Sequence, residues 1–302
     1  MSEKGYVDSF VAFIDILGFK DFIIKNQFEA PYSLFDSIKK CYEMVVLMTK
    51  SNSVTKEMLD TVTFNIISDS IVISVPKTTR LSFEILVSIV NLITFDILKN
   101  YKLLCRGGIS EGYFYAENNI AFGPALVNAY VLENKIARYP RIIFTLDTLN
   151  VYEKISNKDF QNNSSYLIYP DINDKLFFAD YISYIMSAFV ILIKNKIIES
   201  NYVSSLFNNI KINIESNLTL FSNDAKIEEK YIYFKKYYNQ MIFLANKNPQ
   251  FPFKCDYIFG ENYPSDEKLY KQLECSQNYS NNTITNSSNA ALGKNSTVKT
   301  GK

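Results

Sequence analysis

The run Phe10 to Phe19, FVAFIDILGF, reads as a buried β-strand with a carboxylate inside it. Val11, Ala12, Phe13, Ile14 and Ile16 make the apolar, β-branched stretch that sits within a sheet. Asp15 interrupts it, and burying an unpaired carboxylate costs several kcal/mol. Any fold built around this strand must bring a positive partner to Asp15.

Composition narrows what that partner and its chemistry can be. The 302 residues are 47% hydrophobic and 15% aromatic, enough to bury a core in one large domain or two ordinary ones. Lys and Arg (32) nearly cancel Asp and Glu (31), so nucleic acid is not an expected partner. Histidine is absent, which excludes serine–histidine triads, histidine-ligated zinc and imidazole acid–base catalysis. Chemistry must then run on carboxylates, Lys, Arg, Tyr, Cys or bound metal. Cys41, Cys105, Cys255 and Cys275 are scattered with no CxxC pair, the pattern of reduced cytosolic thiols rather than of a zinc site or disulfide framework. The start MSEKGYVDSF lacks the basic residues and apolar run of a signal peptide. YISYIMSAFVILI, Tyr181 to Ile193, falls short of the roughly 20 apolar residues a bilayer span needs and reads as a buried helix. A cytoplasmic location with no membrane partner is expected.

After the Gly18 turn, Phe22, Ile23, Leu34, Phe35, Ile38 and Met44 mark the apolar side of a helical region reaching about Met48. VTFNIISDSIVISVP reads as two short strands meeting at Ser68, Asp69 and Ser70, a hairpin with an acid at its tip. Leu81 to Leu98 is apolar almost all round and predicts a helix covered on more than one side, with a second subunit as a candidate cover. LLCRGGISEGYFYAENNIAFG predicts a strand, a turn at Glu117 to Asn119 and a short return strand. PALVNAYVLENKIARYP predicts a helix opened by Pro124 and stopped before Pro140, and RIIFTL another strand. This order is that of an α+β fold, an antiparallel sheet with helices on one face. One domain is expected over Tyr6–Tyr152 and a mainly helical C-terminal region over Lys175–Tyr270. Ser276 to Lys302 is polar and repetitive and predicts a disordered tail.

If the first strand and the hairpin pair, Asp15 and Asp69 become neighbours. Two adjacent carboxylates repel unless a cation neutralises them, and hard divalent ions prefer oxygen ligands. For each acid alone a plainer reading stands beside this one: Asp15 as a helix cap, Asp69 as a turn residue.

Three ordered segments carry a family resemblance. FIDILGF resembles the F-x-D-I-x-G-F signature of class III nucleotide cyclases, SDSIVIS their second metal-binding aspartate in a hairpin, and RGGISEG their R-x-G-I-x-x-G strand. The likeness covers Phe10 to Leu146 and implies a palm-like cyclase domain forming a head-to-tail homodimer with shared active sites. Carried over by position, it implies that Asp15, Asp69 and the carbonyl of Ile16 hold two Mn²⁺ or Mg²⁺ ions, while the amides of Leu17, Gly18 and Phe19 cradle a triphosphate. The implied reaction is attack of a ribose 3′-hydroxyl on its own α-phosphorus, releasing pyrophosphate.

Departures refine the resemblance. Asn65 stands where purine cyclases carry a base-reading Lys, and Ile120 where they carry its acidic partner. Val127 and Val131 occupy the places of the ribose-positioning Asn and the transition-state Arg, leaving Asn128 for the first role and Arg138 or Arg141 for the second. Arg106 either braces the sheet or donates to a pyrimidine carbonyl. With AFIDILGF, RGGIS and GPALVNAYVLE, these substitutions look most like the pyrimidine cyclases of bacterial Pycsar antiphage systems. That implies UTP, or CTP, as the nucleoside triphosphate substrate and cUMP or cCMP as a signal to a separate effector. Two alternatives remain at this point: a cyclase-fold nucleotide sensor without turnover, and a purine cyclase.

Overall fold

The structure, a computed structural model, describes residues 5–26, 29–50, 61–79, 81–117, 120–156, 167–171, 174 and 176–260. Its centre is the expected strand, β1 (Val7–Leu17), paired antiparallel with β3 (Ser70–Pro76) on one side and β4 (Leu104–Glu117) on the other. Flanking it on both edges hides β1 from water, as its apolar run requires. β2 (Thr63–Ile67) forms the hairpin with β3; among the described residues the sheet has eight strands, in the order β2, β3, β1, β4, β6 (Ile142–Phe144), β8 (Phe177–Ala179) and β7 (Ile168–Pro170), with β5 (Ile120–Phe122) paired to β4.

Alternation along β1 sorts its residues between two cores. Phe10, Ala12, Ile14 and Ile16 pack beneath α2 (Glu29–Lys50) and α3 (Ser82–Asp96), together with Leu34, Ile38 and Phe83. Val11 and Phe13 face the other way, toward Ala125 and Leu126 of α4 (Pro124–Val131). Asp15 belongs to this second face. Helices thus cover both faces of the sheet, where the sequence reading expects one. The sheet is mixed as well: β6 (Ile142–Phe144) runs parallel to β4.

The α+β class holds, and local details differ from expectation. The helical region after Gly18 is divided into α1 (Phe19–Asn26) and α2. Met44, expected on its apolar side, is 44% exposed because Cys41 and Val45 take the inward positions of that turn. The all-round apolar α3 is covered from within the chain, by α2, the sheet and α6 (Tyr181–Lys194), so a second subunit is not what covers it. It passes into a π-helical turn, Ile97–Tyr101, and α4 passes into another, Leu132–Ile136.

Beyond β6 come α5 (Leu146–Ser156), then β7 (Ile168–Pro170) and β8 (Phe177–Ala179), which extend the same sheet. α6, α7 (Ser200–Leu220) and α8 (Ala225–Lys247) follow. Their core, with Ile182, Phe207, Phe234 and Tyr238, also contains Phe95, Leu104 and Ile143 from the first half. The tyrosine-rich segment at the start of α8 is packing: Phe234, Tyr237 and Tyr238 are buried. The Tyr181–Ile193 stretch forms α6, capped by Asp180, which accepts from the Ser183 amide; no helix among the described residues is long and apolar enough to cross a membrane. Cys41, Cys105 and Cys255 are free and buried. The expected tail at 276–302, Cys275 and the tip of the β4–β5 turn at 118–119 lie outside the described residues.

Candidate active site

Register brings the two acids together. Asp15 pairs with Ser70 of β3, and the Ile16 amide donates to the Asp69 carbonyl at 2.9 Å, so Asp69 caps the hairpin beside the end of β1. Ser68, the first of the two residues between Ile67 and Ser70, has φ +58°, the left-handed conformation a two-residue hairpin turn demands. The Asp15 carboxyl registers its surroundings: burial pushes it above its usual range, Arg106 opposes the rise, and the Asp69 charge adds to it.

The partner that β1 calls for is Arg106, directly across on β4. Its Nε donates to Asp15 Oδ2 at 3.2 Å. The same Nε lies 2.7 Å from Glu133 Oε1. A guanidinium Nε carries one hydrogen, and here it aims at Asp15. The buried Glu133 oxygen is therefore ion-paired without a hydrogen bond. Burial raises the Glu133 pKa, Arg106 opposes the rise, and the charges of Asp15 and Asp69 add to it. Lys230 of α8 lies within electrostatic range of the cluster, where Arg106 disfavours its charge and Asp15 favours it.

Sequence reasoning missed Glu133 and Lys230 as site residues, though both carry the signal that singled out Asp15. Glu133 continues the buried stripe Ala125 and Ala129 at four-residue spacing, and Lys230 opens the buried stripe of Phe234, Tyr237 and Met241. Each is a charge on an apolar helix face.

The other expected site residues divide into two groups. Leu17 ends β1, Gly18 turns with φ +80°, and Phe19 begins α1, whose first turn closes through the Phe22 amide to the Gly18 carbonyl at 3.0 Å. This places unpaired helix-start amides next to the aspartates. A groove of about 710 Å³ opens on the Asp69 side of this turn, lined by Phe19, Lys20, Ile23, Ile66, Ser68 and Asp69. Asn65 pairs with Val72, on the same face of the sheet as Asp15.

Asn128 is exposed on α4. Arg138 is 70% exposed and bound to Glu229 of α8 at 2.8 Å. Arg141 is buried, with its guanidinium committed to Asp171 and Asp174. Neither arginine is delivered to the aspartates.

Hard oxygen donors suit Mg²⁺ or Mn²⁺, which are commonly held by one or two carboxylates with substrate phosphates completing the shell. Asp15, Asp69 and the Ile16 carbonyl fit that pattern. Among the described residues no group of three or more Asp, Glu, Cys or His forms a closed metal cage, so bound phosphate would have to complete the coordination.

No protein-family model and no curated protein matches the chain in sequence. Among solved structures, a bacterial light-regulated adenylyl cyclase is similar over 58% of this chain and 91% of that one, at 13% identity and a TM-score of 0.35. That degree of similarity carries no functional assignment.

Proposed function

We propose that the chain is a divalent-metal-dependent nucleotide cyclase. One observation carries the reading: Asp15 and Asp69, far apart in sequence, converge at one strand end beside the glycine turn that opens α1. Asp15, Asp69 and the Ile16 carbonyl would hold the ions, which would acidify a ribose 3′-hydroxyl and offset charge on the α-phosphate. The chain's own groups then have distinct tasks. The amides at Gly18 and Phe19 receive phosphate oxygens, and the groove along α1 admits the nucleotide. The 3′-oxygen bonds to the α-phosphorus, the bond to the β-phosphate oxygen breaks, the hydroxyl proton goes to solvent, and pyrophosphate leaves.

The motifs support a pyrimidine substrate, UTP ahead of CTP, and a product acting on a separate effector in antiphage defence. Asn65, in the place of a purine-reading Lys, lies on the site face. A homodimer is supported by the apolar residues that β4, β5 and α4 leave exposed, Tyr113, Ile120, Phe122, Val127 and Tyr130. A second reading, a sensor without turnover, is favoured by the diversion of Arg138 and Arg141 to other carboxylates.

Incubating the protein with each of the four NTPs and Mn²⁺, and resolving products by mass, separates these readings. A cyclic pyrimidine nucleotide with equimolar pyrophosphate is expected, falling about a thousandfold in Asp69→Ala. Nucleotide bound but never cyclised identifies the sensor, and full turnover by Asp69→Ala refutes the metal site.

A further inference from the structure

A cyclising site needs a cation to receive charge as pyrophosphate departs, and within the chain neither arginine expected from the sequence is available to the aspartates. Lys230 is. It sits in the second turn of α8, and the residues four, seven and eleven positions on, Phe234, Tyr237 and Met241, are all buried. Helical periodicity therefore turns Lys230 inward, onto the body of the protein.

α8 is pinned in that orientation from both sides of Lys230. Glu229 binds Arg138 at 2.8 Å and accepts from the Tyr139 hydroxyl at 3.1 Å. Tyr233 stacks on Tyr139 with centroids 4.6 Å apart and rings 1° from parallel, lies under Arg141 at 5.4 Å, and donates to Asp171 at 2.6 Å. Farther along, Phe234 and Tyr237 share a core with Leu104 and Leu17, the strand residues flanking Arg106 and Asp15. The helix is thus anchored on the strand ends that carry the site.

Lys230 is half-buried and has no hydrogen bond or ion pair among the described residues. The charged groups acting on it are Arg106, Asp15 and Asp224. Leaving a lysine half-desolvated without a partner is unfavourable unless an anion joins it. Asp15, Asp69 and Glu133 against Arg106 and Lys230 leave one net negative charge, which a divalent ion reverses. The filled site would then attract a polyanion.

We infer that Lys230, delivered by the C-terminal helix α8, contacts the polyphosphate chain of the nucleotide at the Asp15–Asp69 site. This deepens the cyclase reading and rests on it. It also makes the C-terminal half part of the active site, because any movement of α8 would withdraw the cation.

The test uses the full chain with Mn²⁺ and inorganic triphosphate as probe, in wild type, Lys230→Gln and Lys230→Arg, with melting temperature and NTP turnover measured alongside. Lys230→Gln should weaken triphosphate binding at least about tenfold at an unchanged melting temperature, and Lys230→Arg should recover most of it. Wild-type affinity in Lys230→Gln overturns the inference, as does a loss that merely follows thermal destabilisation. If wild type cyclises NTPs while Lys230→Gln behaves identically, the Lys230 assignment alone fails. If wild type neither binds triphosphate nor cyclises, the cyclase reading fails with it.

Discussion

Replacing Arg106 with Met should cost about 3 kcal/mol of stability, and the structure says why. Its Nε lies 3.2 Å from Asp15 and 2.7 Å from Glu133, side chains only 20% and 5% exposed. At an effective dielectric of about 20 each contact is worth roughly 5 kcal/mol of attraction before desolvation is subtracted. Removing one partner of a buried pair costs about 3–5 kcal/mol, and Arg106, at 27% exposure, places the loss near the low end. Most of it comes from Glu133, the more buried acid, which is left without a counter-charge. Urea unfolding followed by circular dichroism measures it, and the melting temperature should fall by about 6 °C or more. In Arg106→Met/Glu133→Gln, with the stranded charge removed, at least half the loss should return. A single-variant loss under about 1 kcal/mol, or strict additivity in the double variant, would refute this reasoning.

Two further outcomes follow from the packing. At Gly108 an added Cβ would stand 2.3 Å from the Ala129 carbonyl oxygen and 2.5 Å from Leu132 Cβ, so Gly108→Ala should push α4 off the sheet and cost about 2 kcal/mol in urea unfolding. Asp180 is fully buried, and desolvation raises its pKa above 3.8 against the hydrogen bonds from Tyr237 and Ser183. A raised folded-state pKa gives stability that is present at acid pH and lost as pH climbs through the folded value. The stability of Asp180→Asn relative to wild type should therefore increase from pH 4 toward neutrality, at up to about 1.4 kcal/mol per pH unit, as read by urea midpoints across pH.

The elements that were legible in the sequence are those with a local cause. β1 is marked by its apolar run, the β2–β3 turn by Ser68 and Asp69, α4 by Pro124, and the α1 turn by Gly18. What required the structure is long-range register. Arg106 faces Asp15 across ninety-one positions, and no local pattern encodes which β4 residue sits opposite. The direction of β6 and the placement of α4 on the second face depend in the same way on how strands order, which periodicity does not reveal. The sequence points to a metal ion as the counter-charge of Asp15, and the chain itself supplies an arginine shared with Glu133. Arg138 and Arg141 were sensible catalytic candidates by sequence position, and their true partners, Glu229, Asp171 and Asp174, belong to segments read as a separate helical region or left unassigned.

The central claim, that Asp15 and Asp69 act jointly in holding divalent metal, is tested most directly by Mn²⁺ titration followed by electron paramagnetic resonance, with a dideoxynucleoside triphosphate that cannot cyclise. Wild type, Asp15→Asn, Asp69→Asn and the double variant are compared. The account predicts that either single change abolishes as much binding as both together. Independent, additive losses from the two positions, or no Mn²⁺ bound by wild type, would contradict it.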